Sequence, residues 1–401
     1  MLANTGLGTG LTADDLRAQV AEFLAGHDPQ GTDRQEFLNA RFDAGLAWVH
    51  YPAGLGGQGL PRALQSAVDR AFDAAGAPGN HPERNGIGLG MAAPTILAHG
   101  TPAQQERWLR ALWTGEEIWC QLFSEPGAGS DLAGLSTRAV RDGDQWVVNG
   151  QKVWTSSAHM AKRALLVART DPDLPKHQGL TYFALDMKQP GVEVRPLRQM
   201  TGEAEFNEVF LTDARIADAD RIGGVGEGWQ VSMATLMNER VSIGGGAMPR
   251  EGGMIASAAR TWREHPELRT PGLHDRLLRL WADAEVARLA GIRLRQQLAA
   301  GQPGPDGSAA KLVFARLNQD ISEFEVELAG GDGLLYDDWT MRRPEGANFF
   351  GRSPGYRFLR AKGNSIEGGT SEILRNIIAE RVLGLPKEAR VDTGPWKDLP
   401  R

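Results

Sequence analysis

Two glutamates in this 401-residue sequence are candidates for a carboxylate that transfers a proton. Glu367 lies in the irregular stretch G-N-S-I-E-G-G-T-S-E-I-L-R-N, which ends in an apolar-periodic run. Glu239 lies directly before Arg240 in M-N-E-R. A carboxylate in a dry pocket has a raised pKa and can remove a proton near neutral pH. Taken alone, Glu239 also fits a solvated acid near a helix start, where the helix dipole favours it.

Two further segments combine small, hydroxyl and aromatic side chains that suit a planar ligand. In S-E-P-G-A-G-S-D, which begins at Ser124, small residues let backbone amides approach a ligand and the terminal hydroxyls supply donors. In K-V-W-T-S-S, which begins at Lys152, a tryptophan beside hydroxyl residues can cover a flat ligand and bind its edge. Each segment also has an ordinary interpretation, as a plain loop and as a core strand respectively.

Other familiar enzyme motifs are missing from the sequence, which contains no H-E-x-x-H, no G-x-x-x-x-G-K-[ST] and no G-x-S-x-G. The run G-G-V-G-E-G, which begins at Gly223, follows no βα unit and lacks the phosphate-loop lysine, so we interpret it as a linker. The single cysteine, Cys120, excludes an internal disulfide and a multi-cysteine metal site, and we expect no metal.

Charge and hydropathy narrow the class of protein further. The formal net charge of −6 argues against binding to nucleic acid or anionic lipid. No apolar run reaches the roughly 18 residues that a membrane-spanning helix needs. The first ten residues carry no signal-peptide pattern. We therefore expect a soluble cytoplasmic protein without membrane insertion.

A strand-rich block, residues 119–225, must position the glycine-rich and tryptophan segments. Short runs rich in Val, Leu, Phe and Thr alternate there with turn signals. Asp142-Gly143 and Asn149-Gly150 both favour the positive-φ turns of β-hairpins. The predicted strands include residues 164–168, 181–186, 192–196 and 208–211. We predict a middle antiparallel, β-barrel-like domain.

Helical blocks flank this domain on both sides. Residues 1–118 read mostly as helices, and Thr101-Pro102 has the pattern of an N-cap followed by proline at the first helical position. Residues 226–388 return to helical periodicity and suggest a C-terminal four-helix bundle. Residues 389–401 form a polar tail that we expect to be frayed. The predicted fold class is therefore α+β, with an N-terminal α-helical domain, the middle β domain and the bundle.

Seven short motifs follow one another between Tyr51 and Ile373, and the resemblance that they carry covers nearly the whole chain, from about residue 10 to residue 387. They are Y-P-x-G-x-G-G-x-G, S-E-P-G-A-G-S-D, N-G-x-K-x-W-T-S, G-E-G-W, M-N-E-R, G-G-x-G and G-G-T-S-E-I. Each motif alone is weak. In this order, on a helix–strand–helix layout, they make the chain resemble the acyl-CoA dehydrogenase family.

The resemblance implies an FAD-dependent oxidoreductase that removes two hydrogens across Cα–Cβ of an acyl-CoA. In the family a carboxylate takes the α-proton, and the β-hydrogen leaves as hydride to the flavin. The family's flavin contacts fall here on Phe123, Ser124, Ser130, Trp154 and Ser156. Ser130 would also line the acyl thioester, and Arg240 would assist CoA binding or orient Glu239.

The resemblance also implies an oligomer, often a tetramer, in which a second subunit completes the site. The family's G-G-x-G loop and G-T-S-E segment approach the FAD diphosphate and adenosine. Those roles map onto Gly330, Gly331, Thr370 and Glu372. The backbone amide of Gly368 would donate a hydrogen bond to the thioester carbonyl. The implied electron acceptor is an electron-transfer flavoprotein or a similar protein.

Family members place the catalytic base at one of two positions. Many carry it directly before Gly-Thr, but that position here is Gly368, and Glu367 comes one residue early. An offset of one residue turns a side chain by about 100° in a helix, so Glu367 should miss the α-carbon. A second group carries the base on a bundle helix before an arginine, as in Glu239-Arg240. We therefore predict Glu239 as the base and a surface or loop-stabilising role for Glu367.

Two departures from the family pattern leave alternatives open. The family's R-x-x-F-G segment is absent, because the corresponding region contains Arg260 and Arg263 but no Phe-Gly. The chain could therefore be a non-catalytic or half-site subunit of a heteromeric enzyme. A flavin oxidase or a carrier-protein thioester dehydrogenase on the same scaffold is a separate alternative. The three glycines 244–246 predict either a helix break or a pocket widened for a bulky or branched acyl group.

Overall fold

The computed structural model describes residues 10–244, 249–299, 306–336, 338–345, 352–389 and 392–399. The side chains of residues 239–244, 298, 299 and 306 also lie outside the described set. The chain divides into two compact units. The first runs to Trp119 and includes Ala161–Arg163, and the second contains Cys120–Met160 and the chain from Ala164 onward.

The first unit is helical, as the sequence predicts. Its described helices are α1 Ala13–Gly26, α2 Arg34–Asp43, α3 Gln65–Ala74, α4 Ala93–His99 and α5 Pro102–Thr114. Thr101 caps α5 in a capping box with Gln104, and Pro102 is the first helical residue, which confirms the predicted start. Phe23, Phe37 and Phe72 meet edge to face, with ring centroids 5.3–6.1 Å apart, and form the centre of this unit's core.

A sheet of eight strands occupies the first part of the second unit. The strands are β1 Trp119–Leu122, β2 Arg138–Asp142, β3 Gln145–Ser156, β4 Arg163–Arg169, β5 Leu180–Asp186, β6 Val192–Pro196, β7 Phe206–Ala217 and β8 Arg221–Ile222. Their order is β6-β7-β3-β2-β4-β5-β8, and β1 pairs with β4. Within the described residues this path does not close, so the β domain is an open sheet. The pairs β2–β3, β3–β7, β5–β8 and β6–β7 are antiparallel, and β2 with β4 is parallel.

The prediction of a hairpin turn at Asn149-Gly150 is wrong, because β3 continues through both residues. The Asn149 side chain exchanges two hydrogen bonds with Asp213 on the neighbouring strand β7, at 2.9 and 3.0 Å. The strand register shifts between Val148 and Gly150. A Cβ on Gly150 would lie 2.3 Å from the hydroxyl of Thr137. The glycine therefore marks a bulge with a close approach between strands, and the turn lies at Gly143, with φ +62°.

The rest of the second unit is helical. Its described helices are α6 Gly228–Gly244, α7 Met254–Glu264, α8 Pro271–Ala299, α9 Asp306–Leu328, α10 Pro354–Ala361 and α11 Ser371–Arg381. Helix α9 is central, because α6, α7, α8, α10 and α11 all pack against it. Of the apolar residues on α9, Ile321, Phe324 and Leu328 are buried, while Val313 is exposed. None of the described helices is long and apolar enough to cross a bilayer.

The C-terminal segment is not frayed where the structure describes it. Residues 392–399 lie along the loop between β4 and β5, and Trp396 contributes a backbone hydrogen bond of 2.9 Å to Leu174. The polar composition of the tail hides this anchor, since one tryptophan in thirteen residues gives no periodic signal.

Candidate functional site

The loop that begins at Ser124 is held from beneath by a buried ion pair. Glu125 accepts hydrogen bonds from the amides of Ser136 and Thr137, at 2.6 and 2.8 Å, and from Lys152 Nζ at 2.9 Å. Lys152 is fully buried on β3 and also donates to the carbonyl of Phe123 at 3.0 Å. This network joins the two segments that the sequence singled out. It leaves Gly127, Gly129 and Ser130 exposed, while Ala128 is buried.

Burial alone would raise the pKa of Glu125, but the Lys152 charge and the hydrogen bonds reverse this and hold that pKa below its usual value. The Glu125 carboxylate is therefore charged at neutral pH, whereas burial lowers the pKa of Lys152 and the Glu125 charge opposes that fall. A hydrogen-bonded pair in a dry environment has little freedom to move. The loop consequently has a fixed inner anchor.

Trp154 adopts a left-handed backbone conformation at a bulge in β3. Its φ is +60°, and the pairing of β3 with β7 shifts register between Lys152 and Thr155. Such a conformation is uncommon for a bulky residue and costs of the order of 1 kcal/mol. The indole is 57% exposed, and its ring meets Phe206 edge to face at 5.8 Å. The bulge thus presents a large aromatic face to the outside of the sheet, at an energetic cost that suggests a function.

Arg360 on α10 connects this corner of the sheet to the Glu367-Gly368 turn. Its buried guanidinium donates to Glu205 at 3.1 Å and to both carboxylate oxygens of Glu367, at 3.2 and 2.9 Å. It also lies 5.5 Å from the ring of Phe206, the partner of Trp154. The contacts therefore run without a break from the indole to the carboxylate beside Gly368.

The turn at Gly368-Gly369 is fixed on both sides. Both glycines have positive φ, +64° and +97°. Lys311 on α9 donates to the carbonyl of Gly369 at 2.7 Å, and Asn364 donates to Glu367 at 2.6 Å. Thr370 caps α11, its hydroxyl accepting from the amide of Ile373. The amide of Gly368 is consequently carried on a segment with little freedom to reorient.

Further ion pairs surround helix α10. Glu203 accepts hydrogen bonds from Arg352 and from the Tyr356 hydroxyl, at 2.5 and 2.6 Å. Arg357 makes a two-point contact with Glu325 of α9, at 2.7 and 2.9 Å. Burial raises the pKa of Glu205, and the charge of Arg360 opposes that rise.

Helix α6 is locked to the sheet one turn before Glu239. The Thr235 hydroxyl and the Tyr182 hydroxyl are 2.9 Å apart, and both side chains are buried. Tyr182 in turn meets Phe123 edge to face at 5.8 Å. Residue 239 follows Thr235 by four positions, which is about one helical turn. The Glu239 and Arg240 side chains themselves lie outside the described residues.

The remaining predicted residues differ in their surroundings. Ser124 and Ser156 are half-buried, while Ser130 is exposed at the end of its loop. Gly330 and Gly331 are exposed in a 3-10 turn after α9. Three further residues have exposed side chains. Glu372 pairs with Arg375, Arg263 pairs with Glu251, and the third is Arg260. The structure brings together the sheet group and the Gly368 turn, but it does not join Gly330, Gly331 or Glu372 to them.

The surface around Trp154 offers an exposed aromatic face beside hydroxyl groups. The indole is exposed although it is held by a strained bulge, and a half-buried serine hydroxyl follows two residues later. Between them, the buried Thr155 hydroxyl has no hydrogen-bond partner within the part of the chain that the structure describes. Buried polar atoms are normally paired, so this hydroxyl is an exception. The donor set is that of a neutral, flat, hydrogen-bonding ligand.

Sequence reasoning missed three residues that shape this site: Arg360, Glu205 and Lys311. Arg360 and Glu205 are 155 positions apart in the sequence, and Lys311 is 58 positions from its partner Gly369. A sequence pattern of local spacing cannot reveal such pairs. The only available signal is the pair Arg357 and Arg360, three positions apart on one short helix.

Three family models match the chain in succession. The N-terminal, middle and C-terminal domains of acyl-CoA dehydrogenase match residues 12–116, 120–214 and 226–383. Together these matches cover most of the chain and follow the helix–sheet–helix order of the structure.

Individual proteins are similar over the same length. IpdE1 of Mycobacterium tuberculosis, an acyl-CoA dehydrogenase, is 39% identical over 95% of this chain and 97% of its own. FadE34 of the same organism is 42% identical over 86% of this chain, which spans only 45% of that longer protein. The solved structure of the Tcur3481–Tcur3483 steroid ACAD superposes with a TM-score of 0.72 at 25% identity, covering 94% of this chain and 98% of that one.

Proposed function

Because the chain belongs to the acyl-CoA dehydrogenase family, whose cofactor is FAD, we propose that it oxidises an acyl-CoA thioester with Glu239 as the base. The observation that carries this proposal is the state of Glu367. Its oxygens already accept hydrogen bonds from Arg360 and Asn364. Three of the roughly four lone-pair positions of this carboxylate are therefore already occupied. The carboxylate on α6 is the remaining candidate.

Gly368 is the proposed donor to the thioester carbonyl. Removing the α-proton builds negative charge on that oxygen, and a donor fixed in advance stabilises the charge without reorganisation. The contacts of Lys311, Asn364 and Thr370 around the double-glycine turn support this role. We assign to Glu367 the task of holding the turn through Arg360.

The sheet corner is the proposed flavin platform. FAD, when bound, supplies the acceptor for the hydrogen that leaves the β-carbon. Trp154 would cover its ring system, Ser124 and Ser156 would bind its edge, and Phe123 would back the site from within the sheet. The anchor formed by Glu125 and Lys152 would keep these residues in place and exclude water.

The acyl group is proposed to be bulky. A cavity of about 620 Å³ lies among α7, α8, α9 and α10, and its lining includes Asn364, the partner of Glu367. Its other walls are mainly apolar, with Leu294, Phe314 and Leu317 among them. This volume is within the range of roughly 300–1,000 Å³ for small-molecule sites. The similarity to a steroid ACAD supports a ring-bearing acyl group. Gly245 and Gly246, part of the predicted widening, lie outside the described residues.

An oligomer in which two chains share each site is part of the proposal. Gly330 and Gly331 lead directly into Leu334 and Leu335, which are 83% and 70% exposed. Adjacent exposed leucines are typical of a protein interface. A partner chain on this loop would let its glycines reach the second flavin, and Thr370 and Glu372 would take part in the same contact. An electron-transfer flavoprotein as acceptor and a cytoplasmic location stay predictions.

A matched pair of variants tests the assignment of the base. The FAD-loaded protein is mixed anaerobically with a panel of straight, branched and ring-bearing acyl-CoAs, and flavin bleaching is followed. Glu239→Gln should bind FAD and acyl-CoA but bleach more slowly by about 10² to 10⁴, the usual contribution of a general base. Glu367→Gln should keep the base and lose far less. If Glu239→Gln bleaches at the wild-type rate, the assignment is wrong.

The second candidate, a non-catalytic or half-site subunit, is favoured by one observation. Arg263, one of the two arginines in the region of the missing R-x-x-F-G motif, pairs with Glu251 at the surface. The chain would then need a second, unlike chain, as the paired designation of the Tcur3481–Tcur3483 enzyme suggests. Purified protein without flavin absorbance, which gains activity only with a partner chain, would support this alternative.

A further inference from the structure

The C-terminal segment, residues 392–399, adds a short strap to the edge of the sheet domain. The amides of Trp396 and Lys397 donate to the carbonyls of Leu174 and Pro172, at 2.9 and 3.1 Å. Pro395 forms a bridge with Pro175 in the same loop. The segment is therefore attached by its backbone to the connection between β4 and β5.

The side chain of Trp396 reaches the residues that follow the glycine-rich loop. Its indole nitrogen donates to the carbonyl of Gly134 at 3.2 Å. Its ring lies 4.5 Å from the guanidinium of Arg169, which donates to the carbonyl of Ala133 at 2.6 Å and, at longer distance, to that of Leu135. One tryptophan and one arginine thus hold three consecutive residues, 133–135.

A second contact joins the strap to the loop itself. The buried Lys176 ammonium contacts Asp131, the last residue of S-E-P-G-A-G-S-D, at 2.7 and 2.8 Å. The same ammonium contacts Asp392 of the strap at 2.5 Å. A buried ammonium needs opposite charge around it. The strap supplies one of the two carboxylates that keep Lys176, and through it Asp131, in place.

The glycine-rich loop therefore has two anchors of different origin. Glu125 fixes its start from inside the sheet through Lys152. Its end depends on Asp131 and residues 133–135, which contact Lys176, Arg169 and Trp396. The residues between the anchors include Ser130, which is exposed and available to a ligand.

We propose that residues 392–399 form a clasp that holds the end of the glycine-rich loop in its ligand-binding geometry, with Trp396 as a positioning residue. The inference rests on the proposed function, because it assumes that this loop contacts the flavin and the acyl thioester. Trp396 touches neither reactant in this proposal. Its effect is transmitted through Gly134 and Arg169 to Ser130.

The first test uses amide hydrogen exchange of the protein without added flavin. Trp396→Ala should increase exchange in peptides that cover residues 127–135, while peptides from α9 and β7 stay at the wild-type rate. The control Lys397→Ala removes a surface contact with Asp173 from the same segment and should change neither region. Unchanged exchange at 127–135 in Trp396→Ala would overturn the clasp. Equal loosening of α9 would also overturn it, because the role would then be general stability.

The second test separates KM from kcat. Loss of one aromatic–cation contact and one hydrogen bond should raise KM for the acyl-CoA about tenfold in Trp396→Ala, with kcat changed less. Trp396→Phe keeps the ring over Arg169 and should fall between this variant and the wild type. A KM within twofold of the wild type in Trp396→Ala refutes the proposal.

A milder variant covers the case in which Trp396→Ala does not fold. Asp392→Asn removes only the strap's carboxylate from Lys176 and should move both readouts in the same direction by a smaller amount. If neither readout moves in folded Asp392→Asn or Trp396→Phe, the clasp is wrong. Failure of the proposed function is distinguishable, since the wild type would then show no acyl-CoA turnover while the exchange test still reports on the loop.

Discussion

Replacing Arg360 with methionine should destabilise the protein strongly, and most strongly at neutral pH. The guanidinium is buried and serves two carboxylates, those of Glu205 and Glu367. Methionine fills similar space but carries no charge. The variant therefore leaves Glu205, only 5% exposed, without the cation that contacts it.

The size of the expected loss in the free energy of unfolding depends on how deeply each unpaired carboxylate is buried. Removing one partner of a buried ion pair costs about 3–5 kcal/mol, because the other charge stays in a dry environment. The carboxylate of Glu367 is 30% exposed and adds less, since water screens it. We expect the free energy of unfolding to fall by about 3–5 kcal/mol at neutral pH.

The pH dependence has a definite sign. Burial already raises the pKa of Glu205, and removing the opposing charge of Arg360 should raise it further. An acid whose pKa is higher in the folded state destabilises the fold above its unfolded pKa, and protonation relieves the penalty as pH falls. The deficit of Arg360→Met should therefore shrink as the pH is lowered from about 7.5 toward about 5.

Urea unfolding followed by tryptophan fluorescence measures both effects. Arg279→Met, which removes an exposed pair with Asp275, serves as the control and should cost less than about 1 kcal/mol. The double variant Arg360→Met with Glu205→Gln should recover much of the loss, because no buried charge is left unpaired. A loss below about 1 kcal/mol in Arg360→Met, or one that does not vary with pH, would refute the reasoning.

Three further predictions concern the loop anchor, the bulge and the first unit. Lys152→Met should cost about 3–5 kcal/mol in urea unfolding, and adding Glu125→Gln should restore part of it; an unchanged midpoint would contradict the buried pair. Trp154→Gly should relieve the strain of the positive φ and raise the free energy of unfolding of the flavin-free protein by about 0.5–1 kcal/mol. The purified variant should also retain less FAD, measured by flavin absorbance, and full retention would count against the platform. Burial and the nearby charge of Arg62 lower the pKa of His50 to about 4. The wild type should therefore lose stability as pH falls from about 6.5 toward 4, because only the unfolded state takes up the proton, and thermal melts of His50→Gln should show a weaker dependence.

Elements with strong local signals could be predicted from the sequence. Helix α5 begins where Thr101 and Pro102 predict it, and three of the four strands predicted between residues 164 and 211 are found within about two residues of their predicted ends. The predicted run 208–211 forms only the centre of the longer strand β7. Asn149-Gly150 misled the prediction because a partner on another strand, Asp213, satisfies the asparagine in an extended conformation. A dipeptide preference is small beside such tertiary contacts.

The candidate site could be predicted only in its local pieces. The motif at Ser124, the tryptophan at position 154 and the double glycine at 368 are visible because each is a short pattern of chemically suitable residues. The contacts that bring them together run through Phe206 and Arg360, which no such pattern contains. The left-handed conformation of Trp154 was equally hidden, because the sequence around it favours an ordinary strand.

The groups that pair with two acids next to strand β7 lie about 150 residues later in the sequence. Glu203 and Glu205 precede β7, whereas Arg352, Tyr356 and Arg360 belong to the segment around α10. A fragment that ends at residue 225 would lack the arginines and the tyrosine that contact these two acids. Such a fragment is a poor candidate for separate expression. Two co-expressed halves, by contrast, should recognise each other through these charges and reassemble.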